Sequence, residues 1–598
     1  MARTRWGCRI RKFFVATALV LPLGAMSASA AGPVVYLDQG SDWTDAARRD
    51  FYSRDQGSQM MPLAWLLALR RPDGQPFMAD ALARYGYLPN PDGENGLPIG
   101  FTSSGPAGSE MAGMTCSACH TRQIVVGDRE YRVDGGPALV DFQALFVDMV
   151  DAVGRVLVDD ASFQAFANLV LGPDAPADQR RELRDNVGLW YQREHAMVRC
   201  GVPAAAPGGP SVACAPRGPG TPPASPWGLG RLDAVSMILN RVTGLDIGPP
   251  PSYLIVGNIR LADAPVRYPF LWNAPVQDFT QWPGFASNGS DILGLARNLG
   301  EVYGVFGTYR PRKEWWHLAG INFLHDNSAD FEGLTELEDL VRLIGPPKWR
   351  WGTDPALVRR GAEIFNRSND QGGCVACHGE RPGKTRFPFR KTWATPILDV
   401  GTDSREHAIL TRDAASGVLQ GASIPVIMPP LKKTEPAFNL LKLSVAGSII
   451  QQYTTFAGLR QQAARTRTVR VTRTLPPAQA ELTEAFNPRA PDPGGPYPYE
   501  SRVLYGIWAT APYLHNGSVQ SLAELLKPAS QRAVSFPVGR YYDTDAVGLA
   551  ADQRGSPYMR VTTGCDQRDS GNSRCGHEFG TALTASEKKA LLEYLKTL

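Results

Sequence analysis

The reading of this chain turns on two stretches, Cys116-Ser117-Ala118-Cys119-His120 and Cys374-Val375-Ala376-Cys377-His378. Each matches C-x-x-C-H, the attachment signal of a c-type haem. Two thiols three residues apart can form thioethers to the two vinyl groups of one porphyrin. The next side chain is then carried beneath the iron as an axial imidazole. A zinc knuckle would need its second cysteine pair within a few tens of residues, whereas these lie 258 positions apart. A thioredoxin-like pair would need a strand before it and a helix after it, and Met111-Ala-Gly-Met114 does not read as a strand. Two covalent haems are therefore expected, one held by Cys116, Cys119 and His120 and the other by Cys374, Cys377 and His378.

The other cysteines fit an exported protein. A basic stretch ending at Lys12 leads into the apolar run Phe13 to Met26, and Ala28-Ser29-Ala30 supplies the small residues of a signal-peptidase site, with cleavage expected before Ala31. The run is too short to span a bilayer as a helix, so no transmembrane anchor is expected. Cys8 leaves with this segment. In an oxidising compartment, Cys200 with Cys214 and Cys565 with Cys575 are expected to close two loops as disulfides.

Arg3, Arg5, Arg9, Arg11 and Lys12 precede the first acidic residue, so without residues 1–30 the formal charge of +4 falls to −1. Such a balance gives no reason to expect nucleic acid as a partner. The 598 residues are 43% hydrophobic and 20% charged, which excludes a disordered chain, and 60 glycines with 49 prolines imply much irregular loop.

The motifs divide the chain into residues 1–30 as signal peptide, 31–350 as an N-terminal haem lobe and 351–598 as a C-terminal cytochrome c-like domain. Asp141 opens an amphipathic helix with Phe142, Leu145, Phe146, Met149, Val153, Val156 and Leu157 on one face. Between Gly201 and Gly228, 14 of 28 residues are Gly or Pro, which reads as an exposed loop over 201–228. Asp354-Pro355 caps a helix carrying Leu357, Gly361, Ile364 and Phe365 on one face, just ahead of the second motif. Capping boxes stand at Ser521 with Glu524 and at Thr584 with Glu587, the latter starting a terminal helix. Alternating strand patterns are few. The expected fold is mainly α with long irregular loops, two cytochrome c-like haem lobes forming one compact dihaem unit.

An iron with both axial positions filled passes electrons, whereas an open side admits oxygen or peroxide. Beyond the two motif histidines the chain has His195, His317, His325, His407, His515 and His577, and Met428 stands in Ile-Met-Pro-Pro. His515 stands out within the apolar, aromatic loop Trp508 to Ser518, and Met428 is its rival.

The stretches Met114-Thr-Cys-Ser-Ala-Cys-His-Thr-Arg122, Val133-Asp-Gly-Gly-Pro-Ala138, Tyr268-Pro-Phe-Leu-Trp-Asn273, Trp508 to Ser518 and Gly576-His-Glu-Phe-Gly580 resemble the dihaem c-type oxygenases related to cytochrome c peroxidases. That family includes bacterial rubber oxygenases and periplasmic oleate dioxygenases, and the resemblance spans nearly the whole mature chain. It implies an asymmetric pair. His120 would be the proximal ligand of a reactive haem with an open distal side, and His378 and His515 would ligate the second. Trp272 would correspond to the family's tryptophan between or beside the haems, with Phe270, Trp282 and Phe285 as pocket aromatics. Calcium between the lobes, as in peroxidase relatives, has no place assigned by the scattered acids.

The implied activity is that of an exported, lipoxygenase-like dioxygenase whose partners are O2 and an unsaturated lipid-like substrate, with a mono-unsaturated fatty acid such as oleate favoured and a hydroperoxide as product. A periplasmic electron donor is a further expected partner. The alternatives are a polyisoprene-cleaving oxygenase, a hydroperoxide isomerase or diol synthase, a dihaem peroxidase using Met428, and an electron carrier with both irons filled, using His195 or His317 on the first.

Overall fold

The Asp354 carboxylate accepts from the backbone N–H groups of Ala356 and Leu357 and starts the helix Pro355–Phe365, which buries Gly361, Ile364 and Phe365. Thr584 and Glu587 form a complete capping box at the start of the last helix, Ala585–Leu595. In the computed structural model these two helices pack directly against each other. Gly361 permits the approach, because a Cβ there would collide with the carbonyl of Ala590. The model describes residues 33–205, 214, 223–387, 389–424, 428–454 and 495–598. The expected signal peptide, with Cys8, lies outside them.

The Asp141-capped helix spans Phe142–Val156 and buries the expected stripe, including Phe142, Leu145, Phe146, Met149, Val153 and Val156. The Ser521 hydroxyl accepts from the Glu524 N–H over the single turn Leu522–Leu525. Both expected disulfides form, Cys200–Cys214 and Cys565–Cys575. No helix of the described residues is long and apolar enough to cross a membrane.

Three expectations need correction. The first is "mainly α", because the described residues also form ten small sheets of two or three strands. Met111–Met114 is itself a strand, central between Met61–Pro62 and Phe101–Ser104. Most strands have only two to four residues, too few for a period of two to stand out in sequence. The long hairpin Thr121–Val126 with Arg129–Asp134 has its inner residues buried on both faces, which removes alternation.

Second, of the Gly/Pro-rich stretch 201–228, residues 206–213 and 215–222 lie outside the described residues, and its described end is not exposed. Trp227 is fully buried in the core beside Phe142, with its indole N–H donating to Ala262 O.

Third, the boundary at residue 350 divides the sequence but not the packing. One apolar cluster joins Leu37, Phe51 and Tyr131 to Trp508, Tyr542 and Leu591. Another joins Val235, Leu299 and Phe331 to Ile409, Leu440 and Ile449. Asp134, next to the glycine pair of the 133–138 stretch, is buried and accepts from Trp43 Nε1 at 2.8 Å, Arg48 Nε at 2.8 Å and Tyr52 Oη at 2.6 Å, fastening the first helix, Asp45–Ser53, to the hairpin. A buried carboxylate is tolerated only when so thoroughly paired.

Replacing Gly361 with valine would force the two crossing helices apart and is expected to lower stability by about 1–3 kcal/mol, read as a lower urea midpoint of the haem-loaded protein; an unchanged midpoint would show that the crossing is not tight.

Candidate haem sites

The Pro355–Phe365 helix leads directly into the second motif, with the Cys374 N–H donating to Phe365 O at 2.9 Å. His378 ends the short helix Val375–His378, and its Nδ1 lies 2.8 Å from Arg502 O. A carbonyl only accepts, so Nδ1 carries the proton and Nε2 is left with its lone pair. Burial lowers the pKa of His378 and keeps that lone pair available.

The ring facing His378 is His577, with centroids 6.1 Å apart. Two imidazoles sharing one metal at nitrogen–metal distances of about 2 Å would have ring centres roughly 6 Å apart. His577 is held by its N–H on Val400 O at 2.8 Å and by its carbonyl accepting from Arg532. Gly576 precedes it with φ +79°, where a Cβ would collide with the Gly401–Thr402 peptide. Burial first, then His378 and Arg532, pulls His577 down to about 3, and its Nδ1 has no partner.

His378, His577, Cys374 and Cys377 line one cavity, walled by Leu522, Leu526, Leu591 and Leu595. Arg267 and Arg502 also line it against one carboxylate, Glu500, and among the described residues Arg267 donates its side-chain N–H groups to the carbonyls of Leu514 and Thr510. Burial, chiefly, lifts Glu500 to about 7 and lowers Arg267 to about 9. An apolar cavity with facing imidazoles, two thiols outside any disulfide and surplus guanidinium charge fits a haem, whose propionates are anionic.

His515 is thereby corrected as the second axial residue. It lines the same cavity but lies flat on Tyr499 at 3.8 Å, with Nε2 2.7 Å from Asp403 Oδ2, close enough for an ion pair though not aligned as a hydrogen bond. Asp403 is remote in sequence, so its hold on the imidazole leaves no local signal. The signal for His577 was the Gly576–Gly580 stretch, quoted for its resemblance but given no role. The rival Met428 is packed in the apolar cluster with Leu419, Leu431 and Leu440. His195 stacks on Tyr191, His317 lies 3.0 Å from Glu314, and His407 Nε2 lies 2.9 Å from Pro498 O.

The first motif is delivered by the strand Met111–Met114 into a tight turn at Cys116–Ala118. Gly100, at φ +82°, lets its strand cross that turn, since a Cβ would collide with Ala118. His120 Nδ1 lies 2.9 Å from Pro269 O, and burial lowers its pKa to about 4. Burial also pushes the Cys116 and Cys119 thiols up to about 12.

A second, apolar cavity has walls that include Ile238, Phe285, Leu293, Leu441 and Val445, with the half-buried Arg297, Glu301 and Lys442 as its charged residues. Its proximity to the motif is electrostatic: Glu301 raises both thiols and Arg297 lowers His120. No histidine or methionine is among the residues lining it. The two motifs therefore differ, since His378 faces a second imidazole whereas the ring beside His120 is that of Tyr268, with centroids 6.1 Å apart.

The three aromatics expected as pocket residues are divided. Phe270 and Trp282 line the second motif's cavity and Phe285 lines the first's. Trp272 lines neither of the two; it is buried, stacks on Phe270 at 4.9 Å and donates to Tyr505 O at 2.7 Å. Gly506 leaves room for its indole. No group of three or more potential metal-ligating side chains converges among the described residues to place the expected calcium.

Substituting His577 with alanine is expected to change the haem at the second motif from low spin to high spin or water-ligated in the electron paramagnetic resonance spectrum, whereas His515→Ala leaves it low spin. The opposite pattern would restore His515.

Residues 498–537 match the family model described as RoxA-like, cytochrome c-like. The chain is 29% identical to the uncharacterized protein y4iJ of Sinorhizobium fredii (strain NBRC 101917 / NGR234), over 94% of this chain and 93% of that protein. It is 26% identical to the uncharacterized protein y4iM of the same organism, over 55% of this chain and 63% of that protein. The matched segment contains Arg502 and His515, and it supports a RoxA-like cytochrome c family with covalently bound haem c and haem-dependent oxidoreductase chemistry.

Proposed function

We propose that the protein is an exported dihaem oxygenase that adds O2 to an unsaturated fatty acid beside the Cys116–His120 site, while the Cys374–His378 site, closed by His577, serves electron transfer. The observation that carries this reading is the asymmetry of the two motif histidines. A bound c-type haem supplies an iron that exchanges electrons and, where one axial face has no protein ligand, admits O2.

The chain's own part is to orient, to exclude water and to select. Pro269 O fixes the tautomer and direction of His120. Ile238, Phe285, Leu441 and Val445 offer an apolar wall that takes up a hydrocarbon chain and keeps the space dry. Lys442 lines the same cavity, and burial alone draws its pKa down to about 8. Its Nζ lies over the Phe438 ring at 5.2 Å, and no carboxylate pairs with it among the described residues. A cation of this kind suits the head group of a fatty acid, which polyisoprene lacks. The overall change is R–H plus O2 giving R–OOH, with both oxygen atoms retained.

A peroxidase is the second reading, and Glu301 is the observation that favours it. This half-buried carboxyl lines the apolar cavity, is raised in pKa by desolvation against the pull of Arg297, and accepts from Gln281 Nε2 at 2.8 Å, so it is placed to move a proton for a peroxide.

Incubation with oleate under 18O2 is expected to give a hydroperoxide carrying two label atoms. Absence of O2 uptake, with peroxide consumed against a reduced cytochrome and lost in Glu301→Gln, would replace the oxygenase with the peroxidase. Lys442→Met is expected to raise KM for oleate by about tenfold, the loss of roughly 1.4 kcal/mol, and to leave methyl oleate unaffected.

A further inference from the structure

The two motif histidines are joined by a short run of hydrogen bonds through one side chain. His120 Nδ1–H donates to Pro269 O at 2.9 Å. The next carbonyl, Phe270 O, accepts from Arg502 Nη1 at 2.8 Å. Arg502's own carbonyl then accepts from His378 Nδ1–H at 2.8 Å. One arginine therefore touches His378 through its main chain and, through its guanidinium, the carbonyl one peptide beyond the one that orients His120.

The guanidinium is also locked. Its Nε and Nη2 donate to Gln277 Oε1 at 3.2 and 2.8 Å, and its plane lies 4.1 Å over the Phe270 ring, which in turn stacks on Trp272. Arg502 is 5% exposed, and its nearest carboxylate is Glu500 at 3.6 Å. Gln277 is itself buried, so water has little access to this junction.

We propose that Arg502 is a positioning residue that couples the two haem sites, setting both reduction potentials together and linking the orientation of one proximal imidazole to that of the other. This rests on the dihaem reading above. Oxidation of a haem iron adds positive charge that is shared with its imidazole and strengthens the Nδ1–H donor. At His378 that donor pulls directly on the Arg502 carbonyl. At His120 it pulls on Pro269 O, one peptide from the carbonyl that the guanidinium holds. A fixed buried cation beside both sites disfavours the oxidised, more positive state of each, and the low local dielectric makes the effect large at both. A lysine would keep the charge but lose the planar fork that holds Phe270 O and Gln277 at once.

The test is spectroelectrochemical titration of both haems in the purified holoprotein, wild type against Arg502→Gln and Arg502→Lys, after mass spectrometry has counted the attached haems. A wild-type mass with fewer than two haems would remove the dihaem reading itself, independently of any coupling. With two haems attached, Arg502→Gln is expected to lower both midpoint potentials. Arg502→Lys should hold both potentials near wild type while altering the low-spin g-values of the His378 site through the freed main chain. Potentials unchanged in Arg502→Gln, or lowered at only one haem, would overturn the proposal. Should Arg502→Gln fail to load haem, Gln277→Leu, which leaves the charge but frees two of its three side-chain donors, is the substitute; broadened or shifted g-values at both sites support the coupling, and an unaltered spectrum overturns it.

Discussion

Each motif histidine donates its Nδ1–H to a main-chain carbonyl, and those two carbonyls, of Pro269 and Arg502, are the points on which the arrangement of the sites depends. The bond decides which ring nitrogen is free, in which direction it points and how basic it is. Neither carbonyl comes from the element that carries its histidine. Pro269 lies in the loop Tyr268–Asn273, and Arg502 follows the strand Tyr499–Glu500. The CxxCH turns can be local because backbone 149 and 124 positions further along the chain aims them.

The cores interleave the two halves of the sequence. The N-terminal helix is fastened by Asp134 to the hairpin behind the first motif, and the hairpin's inner face packs on Trp508 and Tyr542. The helices Arg405–Leu410 and Ala437–Thr454 return to pack on the helices Ala234–Asn240 and Asp291–Gly304, which flank the second, apolar cavity. The charges follow from this enclosure. Arg267 and Arg502 stand in a space with few carboxylates, an arrangement that burial penalises unless an anionic group shares the site. The orphaned Nδ1 of His577 and the thiols left outside the disulfides point the same way.

Much of this was legible from short-range patterns. The helix Phe142–Val156, the caps at Asp354 and Thr584 and both disulfides lie where sequence placed them, because each depends on residues within a few turns of one another. The short strands did not show, since two to four residues buried on both faces carry no alternation. Trp227, at the end of a Gly/Pro-rich run, was hidden for a similar reason: composition describes a segment's average, and a single indole can be drawn into the core by the chain on either side.

By itself the sequence determined the chemistry of attachment, since two thiols and an imidazole at C-x-x-C-H spacing match a porphyrin edge wherever the chain later goes. Only the tertiary structure decided which imidazole faces His378. His515 and His577 reach the same cavity, and the choice falls to Asp403, which takes the one, and to Val400 O, which aims the other. It also decided that Phe285 belongs beside the first motif while Phe270 and Trp282 belong beside the second. Covalent spacing is a property of neighbouring residues, whereas an axial position or a pocket wall is filled by whichever side chain long-range packing and hydrogen bonding leave pointing there.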